Sequence, residues 1–141
     1  MYAKILLAYD GSIASNHALD QAKKISQAFG SKLEVVHVFS YTGFQLGEAF
    51  IPVPQNIADN YYLYAEQIIK DVRDKIADLP NATATLLQGI PAKAILDYAD
   101  EINCDLIIVG SRGLGGIREL VLGSVSHNVV QHAKVPILVI K

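Results

Sequence analysis

The amino-acid sequence predicts an α/β protein in which helices cover both faces of a doubly wound parallel sheet. Apolar runs rich in β-branched residues alternate with longer segments of helical period, as in strand–helix–strand units. Several runs are apolar at every position, which is typical of strands buried on both faces. The chain has 141 residues, 51% of them hydrophobic, which suffices for one substantial core. We therefore expect residues 1–141 to form a single domain.

Five strands are predicted from the apolar runs. They are assigned to 3–9, 32–39, 82–88, 105–109 and 135–140.

Four helices are predicted from apolar stripes at helical spacing. The first stripe comprises Ile13, Ala18, Ala22, Ile25 and Phe29, and the second comprises Ile57, Tyr61, Ala65, Ile68, Val72 and Ile76. The third helix opens at Pro91, a residue suited to a first helical turn, and is expected to bury Ile95, Tyr98, Ala99 and Ile102. The fourth runs from about Gly123 to Ala133 through Val125, Val129 and Val130.

Residues 40–55 form the one long connection, with two glycines and two prolines, where about 2–6 residues are usual. Such a segment is either a lid or contact surface or a variable surface crossover. The tyrosines at 61, 62 and 64 come soon after it. Helical spacing places at least one of them in the core stripe, so packing is favoured over a stacking platform.

Charge and cysteine content exclude several functional classes. With 12 basic and 14 acidic residues the net charge is −2, which argues against a basic nucleic-acid or membrane-binding surface. No apolar run approaches the ~20 residues of a membrane span, and the N-terminal run is too short for a signal peptide, so a cytoplasmic location is expected. Cys104 is the only cysteine, which excludes an internal disulfide, and we expect a buried, inert thiol.

A glycine-rich segment follows the fourth predicted strand. Five of the ten glycines lie between residues 110 and 123, directly before the fourth helix. Glycines allow backbone N–H groups to approach a ligand closely, and a helix N-terminus carries positive partial charge. With the hydroxyls of Ser124 and Ser126, the segment predicts a phosphate-binding cradle. The alternative is a mobile loop in which Ser124 only caps the helix.

Asp10 ends the first predicted strand and precedes Gly11-Ser12. In open α/β sheets, ligands bind outside the carboxyl ends of the strands, where the strand order reverses. If strands one and four are neighbours there, Asp10 and Gly110 face one crevice. A carboxylate in that position could bind ribose hydroxyls or a magnesium ion. Alternatively, Asp10 only caps the first helix.

Sharper catalytic and binding motifs are absent from the sequence. It has no Gly-Lys dipeptide, which excludes a P-loop, and no G-x-G-x-x-G after the first strand. The four histidines lack metal-ligand spacing, and His37 is expected to be a hydrogen-bonded core residue. A receiver domain would require an acidic pair after the first strand and an aspartate ending the third, where this chain has Gln88-Gly89.

The sequence resembles the universal stress proteins, specifically their ATP-binding branch. The family signature G-x2-G-x9-G-[S/T] is matched by Gly110, Gly113, Gly123 and Ser124. Further similar segments are the Ala-x-Asp-Gly-Ser that ends strand one, His37-Val38, Gly-x-Pro-Ala before the third helix, and the closing Val-Pro-Ile-Leu-Val. The resemblance covers nearly the whole chain and implies the strand order 3-2-1-4-5.

The resemblance also implies the layout of a nucleotide site. The adenine would contact the backbone at Val38 and lie near Val109, and Asp10 and Gly110 would bind the ribose. The ligand would be ATP, with ADP or AMP as alternatives, and magnesium or manganese would accompany the phosphates. The phosphate contacts would come from Arg112, Gly113, Gly123, Ser124, Val125 and Ser126. Arg118 could add positive charge or simply be solvated.

A homodimer is predicted through the last strand, 135–140. A long apolar strand at a sheet edge exposes unpaired backbone groups that pair readily with another chain, and Pro136 suits a strand start.

The leading functional hypothesis is a stress-response protein for which ATP is a ligand or switch, with at most slow hydrolysis. The alternatives are a true metal-assisted ATPase and a nucleotide-independent dimeric scaffold.

Overall fold

The computed structural model describes residues 1–40, 44–46, 48–52, 54–112 and 122–141. Its main sheet contains five parallel strands: β1 (Lys4–Ala8), β2 (Lys32–Phe39), β5 (Ala82–Gln88), β6 (Leu106–Gly110) and β7 (Ile137–Ile140). A separate antiparallel hairpin consists of β3 (Phe44–Leu46) and β4 (Ala49–Ile51). The helices are α1 (Ile13–Phe29), α2 (Gln55–Lys75), α3 (Pro91–Ile102) and α4 (Ser124–His132).

The strand order of the main sheet is β5-β2-β1-β6-β7. Counted among these five strands alone, the order is 3-2-1-4-5, and the doubly wound α/β fold is confirmed. β1 lies at the centre between β2 and β6, so the first and fourth strands of the sheet are neighbours. β5 and β7 are the two edges.

Hydrophobic cores lie on both faces of the sheet because consecutive side chains of a strand point to opposite faces. Ile5 and Leu7 pack with residues of α1 and α2, whereas Leu6 packs with residues of α3 and α4. All three side chains are completely buried. The continuous apolar strands predicted from the sequence are therefore buried on both sides.

The ends of α1 depart from the predicted stripe. Ala18 and Ala22 are buried as expected, but Ile13 is 77% exposed and Phe29 is 48% exposed. These are the first and last residues of the helix. The ring of Phe29 instead packs edge-on against Tyr2, with 5.8 Å between the ring centroids.

The predicted stripe of α2 is also exposed over the first turns of the helix, where Ala58, which is not a stripe residue, is buried. Ile57 and Tyr61 are 39% and 49% exposed, and Tyr62 and Tyr64 are exposed as well, so the prediction that a tyrosine of this group enters the core is wrong. A helix of 21 residues is about 30 Å long, more than the strands beneath it can cover. The stripe is buried only from Ala65 onward.

The remaining elements lie close to their predicted positions. α3 opens at Pro91 and buries Ile95 and Ala99, whereas in α4 Val129 is buried and Val130 is 42% exposed, contrary to the predicted stripe. β7 begins two residues later than predicted, after Pro136.

The long connection at 40–55 contains the β3–β4 hairpin, which the sequence did not indicate, although part of the connection lies outside the described ranges. In the described part of the chain, no helix has the length and apolarity needed to cross a membrane.

Candidate functional site

At the carboxyl ends of the central strands, β1 stops before both of its neighbours, and we call the gap that this leaves between β2 and β6 the crevice. The β1–β2 pairing ends at Ala8 and Val36, but β2 continues to Phe39. The β1–β6 pairing ends at Ile108, but β6 continues to Gly110. The chain leaves β1 toward β2 and leaves β6 toward β7, so the strand order reverses at this point. Tyr9 and Asp10 therefore form the floor between two longer strands.

Asp10 lies in the tight turn that joins β1 to α1. Its Oδ1 accepts the Ser12 N–H at 2.9 Å across Gly11, which has a left-handed φ of +83°. The N-cap of α1 is Ser12, whose hydroxyl oxygen accepts the Ser15 N–H, so the alternative that Asp10 only caps this helix is wrong. Among the residues that the structure describes, none bonds the second carboxylate oxygen of Asp10.

Gly110 is required by close packing between the end of β6 and the first turn of α1. A Cβ at this position would lie 2.9 Å from the backbone carbon of Ala14 and 3.0 Å from the backbone nitrogen of Ser15. The Ser15 hydroxyl in turn accepts the Asp10 N–H at 3.4 Å. Gly110 thus lets α1 approach β6 and brings the Asp10 turn beside it.

The N-terminus of α4 is fastened to the end of β6. The Gly123 N–H donates to the Ser111 carbonyl at 2.8 Å, and the Ser126 hydroxyl donates to the Gly110 carbonyl at 2.5 Å. Gly123, not Ser124, is the N-cap, and it makes no side-chain cap bond. The alternative in which Ser124 only caps the helix is therefore wrong.

Unbonded backbone donors collect at this helix end. The first hydrogen bond within α4 runs from the His127 N–H to the Gly123 carbonyl. The N–H groups of Ser124, Val125 and Ser126 precede it and lack helical acceptors, as the first N–H groups of any helix do. The predicted hydroxyl donor Ser126 is buried and bonded to Gly110, whereas Ser124 is exposed.

Val38 and Val109 lie near the ends of β2 and β6, on either side of β1, and of the two only Val38 is partly exposed. Val38 is half-buried beyond the last residue of β2 that pairs with β1, and Val109 is buried in the α3–α4 core. Arg112 is half-buried, and its carbonyl accepts the Ser12 hydroxyl at 3.4 Å, which links the start of the glycine segment to α1. The predicted phosphate ligand Gly113 lies outside the described residues, as does Arg118.

His37 is the buried titratable group of the crevice. It is 8% exposed, and its Nδ1 donates to the Tyr9 carbonyl at 2.8 Å. Burial lowers the imidazole pKa, while the bond to Tyr9 and the charge of Asp10 act in the opposite direction. The prediction of a hydrogen-bonded core histidine is confirmed.

Ser12 and Ser15 are site residues that the sequence did not single out. Both are buried, and their hydroxyls join Asp10, Arg112 and the first turn of α1. The signal available was the Asp-Gly-Ser turn with a second serine three residues on, a common N-cap spacing. Within the described ranges, no group of three His, Cys, Asp or Glu side chains is arranged to hold a metal ion.

Known proteins match the chain in sequence and in fold. The model of the family described as Universal stress protein family matches residues 1–141. A universal stress protein of Thermus aquaticus is 39% identical over 141 residues, covering the whole of both chains. The solved structure of universal stress protein UspA from Lactobacillus plantarum superposes with a TM-score of 0.85 at 28% identity, covering 99% of this chain and 98% of that one. A universal stress protein solved in complex with cAMP has a TM-score of 0.72 at 26% identity, covering 99% of this chain and 96% of that one.

Proposed function

The chain belongs to the universal stress protein family, and from this premise we propose that it binds an adenine nucleotide in the crevice above β1. The main observation behind the proposal is that several groups lie together at one edge of the sheet. They are Asp10, the ends of β2 and β6 that extend beyond β1, and the N-terminus of α4. A related structure contains cAMP, which supports an adenine ligand.

The crevice offers different chemistry to each part of a nucleotide. The backbone N–H and carbonyl of Val38 match the acceptor and donor on the Watson–Crick edge of adenine. The second carboxylate oxygen of Asp10 is the acceptor proposed for the ribose hydroxyls. The N–H groups of Ser124, Val125 and Ser126 are proposed to bind phosphate, where the helix dipole favours negative charge.

The nucleotide is proposed to act as a ligand or switch in a stress response, and hydrolysis is not part of the proposal. Chemistry on the γ-phosphate requires a group that positions water, and Asp10 is proposed to bind the ribose rather than the γ-phosphate. Because the described residues form no metal centre of their own, Mg²⁺ or Mn²⁺ is expected to be held mainly through phosphate oxygens of a triphosphate.

Calorimetry with AMP, cAMP, ADP and ATP, each with and without Mg²⁺, tests this function. The decisive variant is Asp10→Asn, because the amide oxygen can still accept the Ser12 N–H while the second acceptor oxygen is lost. Binding should weaken about 10- to 100-fold, as expected for a hydrogen bond to a charged group. The matched control is Asp20→Asn, which changes the net charge equally at an exposed position of α1. If none of the four nucleotides binds the wild type, the scaffold alternative stands instead.

We also propose that the protein is a homodimer joined through β7. The strand pairs with β6 on one side only, and its four residues are each half-buried. An apolar edge strand of this kind presents unpaired backbone groups to another chain.

A further inference from the structure

We infer that the His37 imidazole is a positioning group that ends the β1–β2 ladder and thereby keeps the Val38 N–H available to a ligand. The inference deepens the proposed function and rests on it for the identity of the ligand. The hydrogen bonding between His37 and the two strands does not depend on which ligand binds.

The register of the two strands shows which groups should meet. In a parallel pair, alternate residues of one strand bond to the same neighbour. The Lys32 N–H donates to the Ala3 carbonyl at one end of the pairing, and the Val36 carbonyl accepts the Tyr9 N–H at the other. Even-numbered residues of β2 therefore face β1. The next bond in the series would join the Val38 N–H to the Tyr9 carbonyl.

That bond is not made, although both residues lie in the described part of the chain. The Tyr9 carbonyl instead accepts a hydrogen bond of 2.8 Å from the His37 ring. Because a carbonyl only accepts, Nδ1 of His37 carries the proton. The side chain thus takes the place of the neighbouring backbone N–H at the end of the ladder.

The hydrogen bond from His37 to the Tyr9 carbonyl also affects the crevice. A buried carbonyl without a donor is costly, so loss of the imidazole would favour the nearest remaining donor, the Val38 N–H. The ladder would then extend by one bond, and the donor would be withdrawn from the crevice. With His37 in place, the Tyr9 carbonyl is satisfied and Val38 can donate to a base.

Amide hydrogen exchange at Val38, measured by NMR without nucleotide, tests the structural part. The Val38 amide of the wild type should exchange at least about tenfold faster than that of Val36, which lies within the paired region. In His37→Leu the Val38 amide should become protected by a similar factor. In His37→Asn it should stay exposed, because the amide nitrogen of Asn occupies nearly the position of Nδ1 and can donate to Tyr9.

The binding arm uses AMP and the same variants. His37→Leu should weaken AMP binding about tenfold, and His37→Asn should restore most of the loss. Val35→Ala is the matched control, because it removes core packing from the same strand and face without touching the Tyr9 carbonyl. Equal weakening by Val35→Ala would reduce His37 to a structural role and overturn the inference.

The two proposals fail in distinguishable ways. If the wild type binds no adenine nucleotide, the proposed function is lost while the exchange result at Val38 still decides the role of His37. A Val38 amide that is already protected in the wild type overturns the inference, whatever the protein binds. The wild-type measurement also decides if His37→Leu does not fold.

Discussion

Gly110 is the residue at which packing and the candidate site depend on each other most directly. We expect Gly110→Ala to lower the free energy of unfolding by about 1–3 kcal/mol, as overpacking does. The reason is that the new methyl group would meet backbone atoms of Ala14 and Ser15 at 2.9 to 3.0 Å, and backbone cannot rotate away. The displaced turn of α1 should also weaken nucleotide binding. Urea denaturation and calorimetry on the same variant measure the two effects.

A control glycine separates this packing effect from a general cost of replacing glycine. Gly30 ends α1 with a left-handed φ of +66°, and a methyl group on its Cα would meet no atom within 4 Å. Gly30→Asn should cost less than about 1 kcal/mol, because Asn tolerates this conformation. If Gly110→Ala were as mild as Gly30→Asn, the close contact with α1 would not be limiting.

Residue types predicted some roles and left others open. The single Cys104 was expected to be inert, and it is buried, with its pKa raised to about 11 by burial and by the charges of Asp105 and Asp100. The capping roles proposed as alternatives for Asp10 and Ser124 could not be decided from the sequence. Asp, Ser and Gly are all good N-caps, and only the backbone geometry selects Ser12 and Gly123.

Whole elements were predictable where apolar periodicity matches burial. Periodicity reports which side of a helix is apolar, but not how far the sheet extends beneath it. The stripe of α2 therefore continues onto Ile57 and Tyr61, which the structure leaves exposed. The β3–β4 hairpin was missed for a related reason, since strands of three residues are too short to show an alternating pattern.

The exposed edge strand β7 carries a prediction about assembly. The Pro136 and Ile140 carbonyls accept bonds from β6 and from Ser111 just beyond it, so the backbone groups of even-numbered residues face β6 and those of Ile137 and Val139 face the open edge. Val139→Pro removes an outward N–H without breaking a β6–β7 bond. We expect it to convert the proposed dimer to a monomer, measured by light scattering at micromolar concentration.

The control for assembly is Val139→Ala, which trims the same side chain but keeps the N–H. It should remain dimeric, with a mass twice that of the 15.3 kDa chain. A monomeric wild type would contradict the dimer. If both variants lost dimerisation, side-chain packing rather than backbone pairing would hold the subunits together.

For the molecule as a whole, the strand order determines how a nearly neutral chain could bind an anion. With β1 between β2 and β6, the ends of three strands and the start of α4 converge on one crevice. The donors at the start of α4, among the residues that the structure describes, are backbone N–H groups, which add nothing to the count of 12 basic residues. A net charge of −2 is thus compatible with phosphate binding, which composition alone would not suggest.

On the acid side, two buried groups make the stability of the fold depend on pH in separate ranges. Burial lowers the pKa of His37 below its usual value near 6.5. For Glu34, burial acts to raise the pKa, but hydrogen bonds from Lys32 and Thr83 and the charges of Lys32 and Lys4 outweigh it, and the pKa falls below 4.5. In both cases the unfolded chain binds protons before the folded one does, so acidification favours unfolding.

Urea denaturation at about pH 7.5, 5.5 and 4.0 should therefore show two successive losses of stability. The loss between about pH 7.5 and 5.5 belongs to His37 and cannot exceed about 1.4 kcal/mol per pH unit, the limit for one proton. His37→Asn, which does not titrate, should flatten this range and leave the loss below pH 4.5 in place. Glu34→Gln should do the reverse. If wild-type stability stays constant or rises between about pH 7.5 and 5.5, the prediction for His37 is contradicted. The folded protein would then tolerate a charged imidazole beneath the crevice.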